Sequence, residues 1–191
     1  NYPVDENTPV HPECPYAETK LAAEAEINAC GKMLPGFGSV NLRFFNIAGG
    51  RSGVSVERFS AATRLIPAVV RVARHAGSSI LIRGTDWPTP DGTPIRDYVH
   101  IEDASRAIEL ALTALIPGRI ETVNIGGGMG TSLREVIASV EAAVGQSVST
   151  EVAPRGEGEA AAIVADISRV KRLFDWEPEN SSLMTIVESA L

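Results

Sequence analysis

The chain has 191 residues, enough to bury a core in one domain or one and a half, with 44% apolar and 21% charged side chains. A formal net charge of −7, with no basic run to offset it, argues against nucleic acid as a partner but leaves single arginines free to hold small anions. Two cysteines, Cys14 and Cys30, and three scattered histidines give no zinc spacing, so no metal is expected, and no apolar run reaches the ~20 residues that span a bilayer.

Residues 1–15, rich in proline and acid, read as an extended loop, because each proline bars its predecessor from helix. A helix is predicted from about Tyr16 to Cys30, with Gly31 as its stop. Residues 38–46 alternate Val40, Leu42 and Phe44, a strand signal, and a glycine- and serine-rich loop follows. Ala62, Leu65, Ile66, Val69 and Ala73 have helical spacing over 61–76. A short strand over 79–84 precedes a turn-rich loop over 85–94. A helix over 101–116 places Ile101, Ala104, Ile108, Ala111, Leu112 and Leu115 on one face. A strand over 121–126 leads through glycines 126–128 and 130 to a capping box, Ser132 with Glu135. A strand near 147–153 and short helices near 166–174 and 182–191 complete an alternating order that favours an α/β fold.

Tyr16 and Lys20 lie four apart on the first helix and can face one spot. A nearby ammonium favours a phenolate, so the pair can take a proton from a hydroxyl and return it. The same spacing also occurs on ordinary helix surfaces, so the pair alone does not decide between the two readings. The glycine cluster at 126–130 lacks the G-x-G-x-x-G spacing and reads as a strand-to-helix turn needing positive φ. Trp87 and Trp176 read as packing residues, and His100 and Asp103 as supports for the start of their helix.

In chain order, PYAETK, LRFFNIAGG, TRLIPAVV, ILIRGTDWPTPDGTPIRDYVHIEDASRAI, TVNIGGGMGTSLREVI and PRGEGE…AD resemble the C-terminal half of UDP-glucose 4-epimerases and related extended short-chain dehydrogenase/reductases (the NAD-dependent epimerase/dehydratase family). The resemblance implies catalytic roles for Tyr16 and Lys20, with NAD as cofactor and Tyr16, Lys20 and Phe44 against it. It implies that Asn46, Arg64, Leu65, Leu81, Arg83, Arg96 and Arg155 meet the substrate: Leu65 through its backbone, Leu81 and Arg83 at the uracil, Arg96 at the diphosphate. Guanidinium forks suit phosphate independently of any resemblance.

Three positions depart from the family pattern. Arg64 replaces asparagine or histidine, Arg83 replaces an aromatic near the base, and Gly156 follows Arg155 where a second arginine is usual. Either Arg155 shifts into that job at the diphosphate, Arg64 or Arg83 compensates, or nucleotide-sugar affinity is altered. Ile163 occupies a position that helps set hexose pocket size.

The implied fold is the late part of an NAD-binding Rossmann domain (1–50 with the Tyr-x-x-x-Lys helix, and 101–145) plus a small α/β substrate domain (51–100 and 146–191), with the N-terminal βαβ unit absent. The implied reaction is epimerisation of a UDP-hexose at C4 through a transient 4-keto sugar. A sugar-nucleotide dehydratase or other-position epimerase, and a non-catalytic substrate-binding fragment lacking the cofactor cradle, are the alternatives. The partners expected are a UDP-sugar and either a second copy of the chain or a chain supplying the missing half, with neither nucleic acid nor membrane. The expected compartment is the cytoplasm.

Overall fold

The computed structural model describes residues 3–50, 64–75, 77–156 and 158–191. Its elements in chain order are α1 (Pro15–Met33), β1 (Ser39–Phe44), β2 (Asn46–Ala48), α2 (Leu65–Arg74), β3 (Ile80–Arg83), β4 (Ile95–His100), α3 (Ile101–Thr113), β5 (Ile120–Ile125), β6 (Gly130–Ser132), α4 (Leu133–Val144), β7 (Thr150–Ala153), β8 (Ala162–Ile163), α5 (Ser168–Phe174) and α6 (Leu183–Ala190). Most of the glycine- and serine-rich loop (51–63), the first turn predicted for the second helix with Ala62, and residue 76 lie outside the described residues.

Parallel pairing dominates, as α/β alternation requires. β1 pairs with β5 from Ser39↔Ile120 to Phe44↔Ile125, β2 with β4 from Asn46↔Tyr98 to Ala48↔His100, and β3 with β7 from Ile80↔Thr150 to Arg83↔Ala153. β4 is the hub: it also pairs antiparallel with β6 and parallel with β8. Two apolar clusters hold the layers. In one, Ile66, Val69 and Val70 of α2 meet Val136, Ile137 and Val140 of α4 and Ile186 and Val187 of α6, over Ile80 and Ile82. In the other, Val123 and Ile125 of β5 and Val99 of β4 meet Val170 and the fully buried Trp176. Each such side chain contributes roughly 1.5–3 kcal/mol on burial.

The structure corrects four expectations about local structure. The first helix does not stop at Gly31. It runs to Met33, and Gly31 serves the packing instead, since a Cβ there would lie 2.2 Å from Ile120 Cδ1. The strand expected over 38–46 is two strands belonging to different sheets, broken at Phe45. The single apolar face expected for 101–116 divides: Ala104, Ala107 and Ala111 are buried, while Ile108 and Leu112 are exposed.

The fourth is β4, which went unrecognised because its inward face reads Ile95, Asp97, Val99, and a carboxylate breaks the apolar pattern. That buried carboxylate has a reason to be there. Asp97 Oδ1 accepts from Gly127 N at 2.6 Å, and Oδ2 accepts from Gly128 N at 3.1 Å and Ala165 N at 2.9 Å. The glycine turn therefore grips a residue of its own chain. Gly128 has φ 70°, and a Cβ on Gly126 would lie 2.7 Å from Asp97 Oδ2.

His100 caps α3 as expected, its Nδ1 accepting from Glu102 N at 3.2 Å. Asp103 has a longer reach: it accepts from Asn180 N (2.8 Å), Asn180 Nδ2 (3.1 Å) and Ser181 Oγ (2.6 Å), tying α3 to the segment that leads into α6. Burial pushes the Asp103 carboxyl up, but these bonds outweigh it and hold the group below the usual carboxylate range. Its stabilisation is therefore present above the unfolded value of about 3.9 and lost as pH falls through the lowered folded value. Asp103→Asn, which replaces one of the two accepting oxygens by an NH₂ facing one or two of these donors, is expected to cost about 1–3 kcal/mol at neutral pH and to flatten the acid limb of a denaturation-versus-pH series. An unchanged acid limb would remove Asp103 from that account.

Candidate functional site

One open cavity of about 1460 Å³ runs between the β1/β5 layer and the α2–β3 layer. Tyr16 of α1, Phe44 at the end of β1, and Asn46 of β2 line one part. Arg64, Leu65 and Arg71 on or beside α2, Leu81 and Arg83 of β3, and Arg96 and Tyr98 of β4 line the rest. Local periodicity explains why these side chains converge. Along β3, Ile80 and Ile82 are buried, which turns Leu81 and Arg83 outward. Along β4, burial of Ile95, Asp97 and Val99 puts Arg96 and Tyr98 on the other face. On α2, the inward stripe Ile66, Val69, Val70 and Ala73 leaves Arg64, Ala68 and Arg71 toward the cavity.

The cavity is strongly cationic. Among the described residues Arg64, Arg71, Arg83 and Arg96 line it, against the single carboxylate Glu159. This stands out in a chain whose net charge is −7. Arg96 is the most enclosed of the four; burial pulls its pKa down from the ordinary arginine value, with Glu159 opposing. Its Nη1 donates to the carbonyls of Ile95 (2.8 Å) and Ala160 (2.9 Å). Nε and Nη2 carry no bond to a described residue, so the fork keeps donors for a ligand. Arg64 Nη1 donates to Ile47 O at 3.0 Å, which fixes its base beside β2.

Tyr16 stands at the mouth, 71% exposed, with Lys20 Nζ 5.3 Å from its ring centroid. The helix that carries them buries no residue of its own. It is fastened to β1 by a fork: Arg43 Nε donates to Glu24 Oε1 at 2.9 Å and Nη2 to Oε2 at 2.8 Å, while Nη1 reaches Glu6 O at 3.2 Å.

Of the residues expected at the site, the cavity brings together Tyr16, Phe44, Asn46, Arg64, Leu65, Leu81, Arg83 and Arg96. Lys20 is beside Tyr16 but does not line the cavity, and neither does Ile163, which pairs with Arg96 across β4 and β8. Arg155 is also outside it. Its Nε donates to Asp86 Oδ1 at 2.7 Å, Nη2 bonds the Asp86 carbonyl, and its guanidinium covers Trp87 at 4.6 Å from the ring centroid. This contact holds the Asp86 carboxyl below its ordinary range. The sequence reading missed Arg71 and Tyr98. Arg71 is seven residues from Arg64 on one helical face, and Tyr98 two residues from Arg96 on one strand face, so both periodicities carried the signal.

Residues 1–126 match the model of the NAD dependent epimerase/dehydratase family. The chain belongs to that family. Among curated proteins, it is 37% identical to a UDP-glucose 4-epimerase of Corynebacterium glutamicum over 98% of its own length and 56% of that protein. It is 38% identical to that of Halalkalibacterium halodurans over 98% and 57%. Among solved structures, it superposes on the Stenotrophomonas maltophila UDP-glucose 4-epimerase, with bound NAD and formylated UDP-arabinopyranose, at a TM-score of 0.90 and 28% identity, covering 100% of this chain and 57% of that one. The Bifidobacterium longum UDP-glucose 4-epimerase, in complex with NAD⁺ and UDP, gives 0.88 and 29%, covering 100% and 58%. The chain thus spans a little over half the length of the epimerase/dehydratase family members it matches.

Proposed function

We propose that this chain carries the nucleotide-sugar site and the acid–base pair of an NAD-dependent UDP-hexose 4-epimerase. The observation that carries the reading is the convergence of Tyr16, Phe44 and Asn46 with Arg64, Leu65, Leu81, Arg83 and Arg96 on one cationic cavity. In this reading, residues 1–50 and 101–145 belong to the dinucleotide domain, and 51–100 and 146–191 to the substrate domain.

Asn46 and the Leu65 backbone position the nucleotide sugar, Leu81 and Arg83 meet the uracil, and Arg96 holds the diphosphate through its free donors. The Arg155 role moves to Arg64, Arg71 or Arg83, because Arg155 is engaged with Asp86 and Trp87. The Tyr16 oxygen takes the proton of the sugar C4 hydroxyl and later returns it, with the Lys20 ammonium placed over its ring. Phe44 and Tyr16 on one side of the cavity, with the exposed Lys20 beside Tyr16 just outside it, fit the nicotinamide–ribose end of a dinucleotide as a ring wall, a proton acceptor and a ribose donor. When bound, that cofactor supplies the hydride acceptor that makes oxidation and re-reduction at C4 possible.

The same reading places the protein in the cytoplasm, where the free thiols of Cys14 and Cys30 are at home; no described helix is long and apolar enough to cross a membrane. It also has the chain working as a homodimer or with another chain, since among the described residues β1 pairs only with β5 and the exposed Ile108 and Leu112 of α3 lie uncovered. Conversion of UDP-galactose to UDP-glucose, measured with and without added NAD on the whole protein, tests the function. NAD-dependent interconversion is expected. Release of a dehydrated sugar product, or none at all with UDP bound, would overturn it.

A further inference from the structure

Tyr98 lies where β4 faces the cavity, directly opposite Asn46 in the β2–β4 register and two residues, about 7 Å, along the strand from Arg96. Its ring packs against the apolar cluster of α2, α4 and α6, so its position is set by the core rather than by a loop. Among the described residues its hydroxyl has no hydrogen-bond partner, and Arg96 is the charged group that acts on it. The ring is half-buried, but the hydroxyl is not among the fully buried atoms, so it opens to the cavity, where water or a ligand oxygen can accept its O–H. Burial pushes the phenol up to about 12, so near neutral pH it is a donor and not a base. This separates it from Tyr16, which is exposed at the mouth.

The neighbours say what it donates to. On one side is the Arg96 fork, with Nη1 held by two carbonyls and its other donors open. On the other is Asn46, exposed on β2. An acceptor that satisfies both the Arg96 donors and a neutral O–H is an anionic oxygen of a phosphate.

We propose that Tyr98 is a phosphate-binding and positioning residue of the site, donating its hydroxyl to a diphosphate oxygen that Arg96 holds by charge. The inference rests on the reading of the cavity as a nucleotide site. The O–H fixes the orientation of the diphosphate and thereby sets how far the attached sugar extends toward Tyr16.

Titration calorimetry of this chain with UDP and with uridine tests it. Tyr98→Phe removes the hydroxyl and keeps the ring; it is expected to weaken UDP binding about ten- to 150-fold, the range for a hydrogen bond to a charged group, and to leave uridine binding unchanged. Equal UDP binding by Tyr98→Phe and the native chain overturns the inference while leaving the nucleotide reading intact. Failure of the native chain to bind UDP overturns the nucleotide reading itself. A second measurement does not depend on the variant folding. The sequence has only three tyrosines, so 3-fluorotyrosine labelling gives three fluorine resonances. With those of Tyr2 and Tyr16 assigned by Tyr2→Phe and Tyr16→Phe, the Tyr98 signal is expected to shift with UDP and stay still with uridine. A Tyr98 signal indifferent to UDP contradicts the contact.

Discussion

Replacing Tyr16 with phenylalanine is expected to lower epimerase turnover by about 10²–10⁴-fold, the range for loss of a positioned acid–base group, while UDP-sugar affinity changes little. The asymmetry follows from where Tyr16 sits. The residue is 71% exposed at the cavity mouth, whereas the cationic groups that would bind the nucleotide are on α2, β3 and β4. Its side chain makes no hydrogen bond to a described residue, so losing the hydroxyl leaves the fold as stable as before to within a few tenths of a kcal/mol. A parallel fall in affinity and turnover would place Tyr16 in ground-state binding. Turnover retained within a few-fold would remove it from the chemistry. Lys20→Met should reproduce part of the loss, since its ammonium lies over the Tyr16 ring, 5.3 Å from the centroid.

The largest effect on stability is expected at Asp97. Asp97→Ala strips the acceptor from three backbone N–H groups, those of Gly127, Gly128 and Ala165, in a site with 0% exposure. Each unsatisfied buried donor costs about 1–3 kcal/mol; with water entering part of the space, a total loss of about 3–5 kcal/mol is expected. In a chain of this size that lowers Tm by roughly 10 °C. Arg96 and Tyr98 flank Asp97 on the opposite strand face, so UDP affinity is expected to fall with stability. A loss below about 1 kcal/mol in calorimetry would contradict this account of the glycine turn.

The pH dependence has the opposite sign to that at Asp103. Burial outweighs the three N–H bonds and raises the Asp97 carboxyl above its ordinary range. Its contribution is greatest below the unfolded value and declines as pH rises through the folded one. Asp97→Asn should therefore remove a loss of stability on the alkaline side of its titration, where Asp103→Asn removes a loss on the acid side.

Much of this was legible in the sequence because the core obeys simple periods. The stripe of Ile66, Val69 and Ala73 and the Ser132–Glu135 capping box both appear as expected, the latter with Ser132 Oγ accepting from Glu135 N and Glu135 Oε2 from Ser132 N. The outward alternation of Leu81 and Arg83 likewise follows from a two-residue period. What escaped was governed by long-range partners that local pattern cannot hold. β4 is a strand because residues 30 to 68 positions downstream satisfy its buried carboxylate. Gly31 lies inside the helix, and Ile120 fills the space a side chain there would need. Arg155 leaves the cavity because Asp86 and Trp87, some 70 residues upstream, present a carboxylate and a ring face to it. Tyr98 was hidden for the same reason as β4, since its face becomes visible only once Asp97 is recognised as an inward residue.

The most direct test of the central claim is a crystal structure of the protein with UDP-glucose and NAD. The account predicts the diphosphate against the free donors of Arg96, the uracil beside Leu81 and Arg83, and the C4 hydroxyl within hydrogen-bond distance, about 2.6–3.2 Å, of the Tyr16 oxygen. A sugar whose C4 points away from Tyr16, or a nucleotide seated outside the arginine-lined cavity, would contradict it.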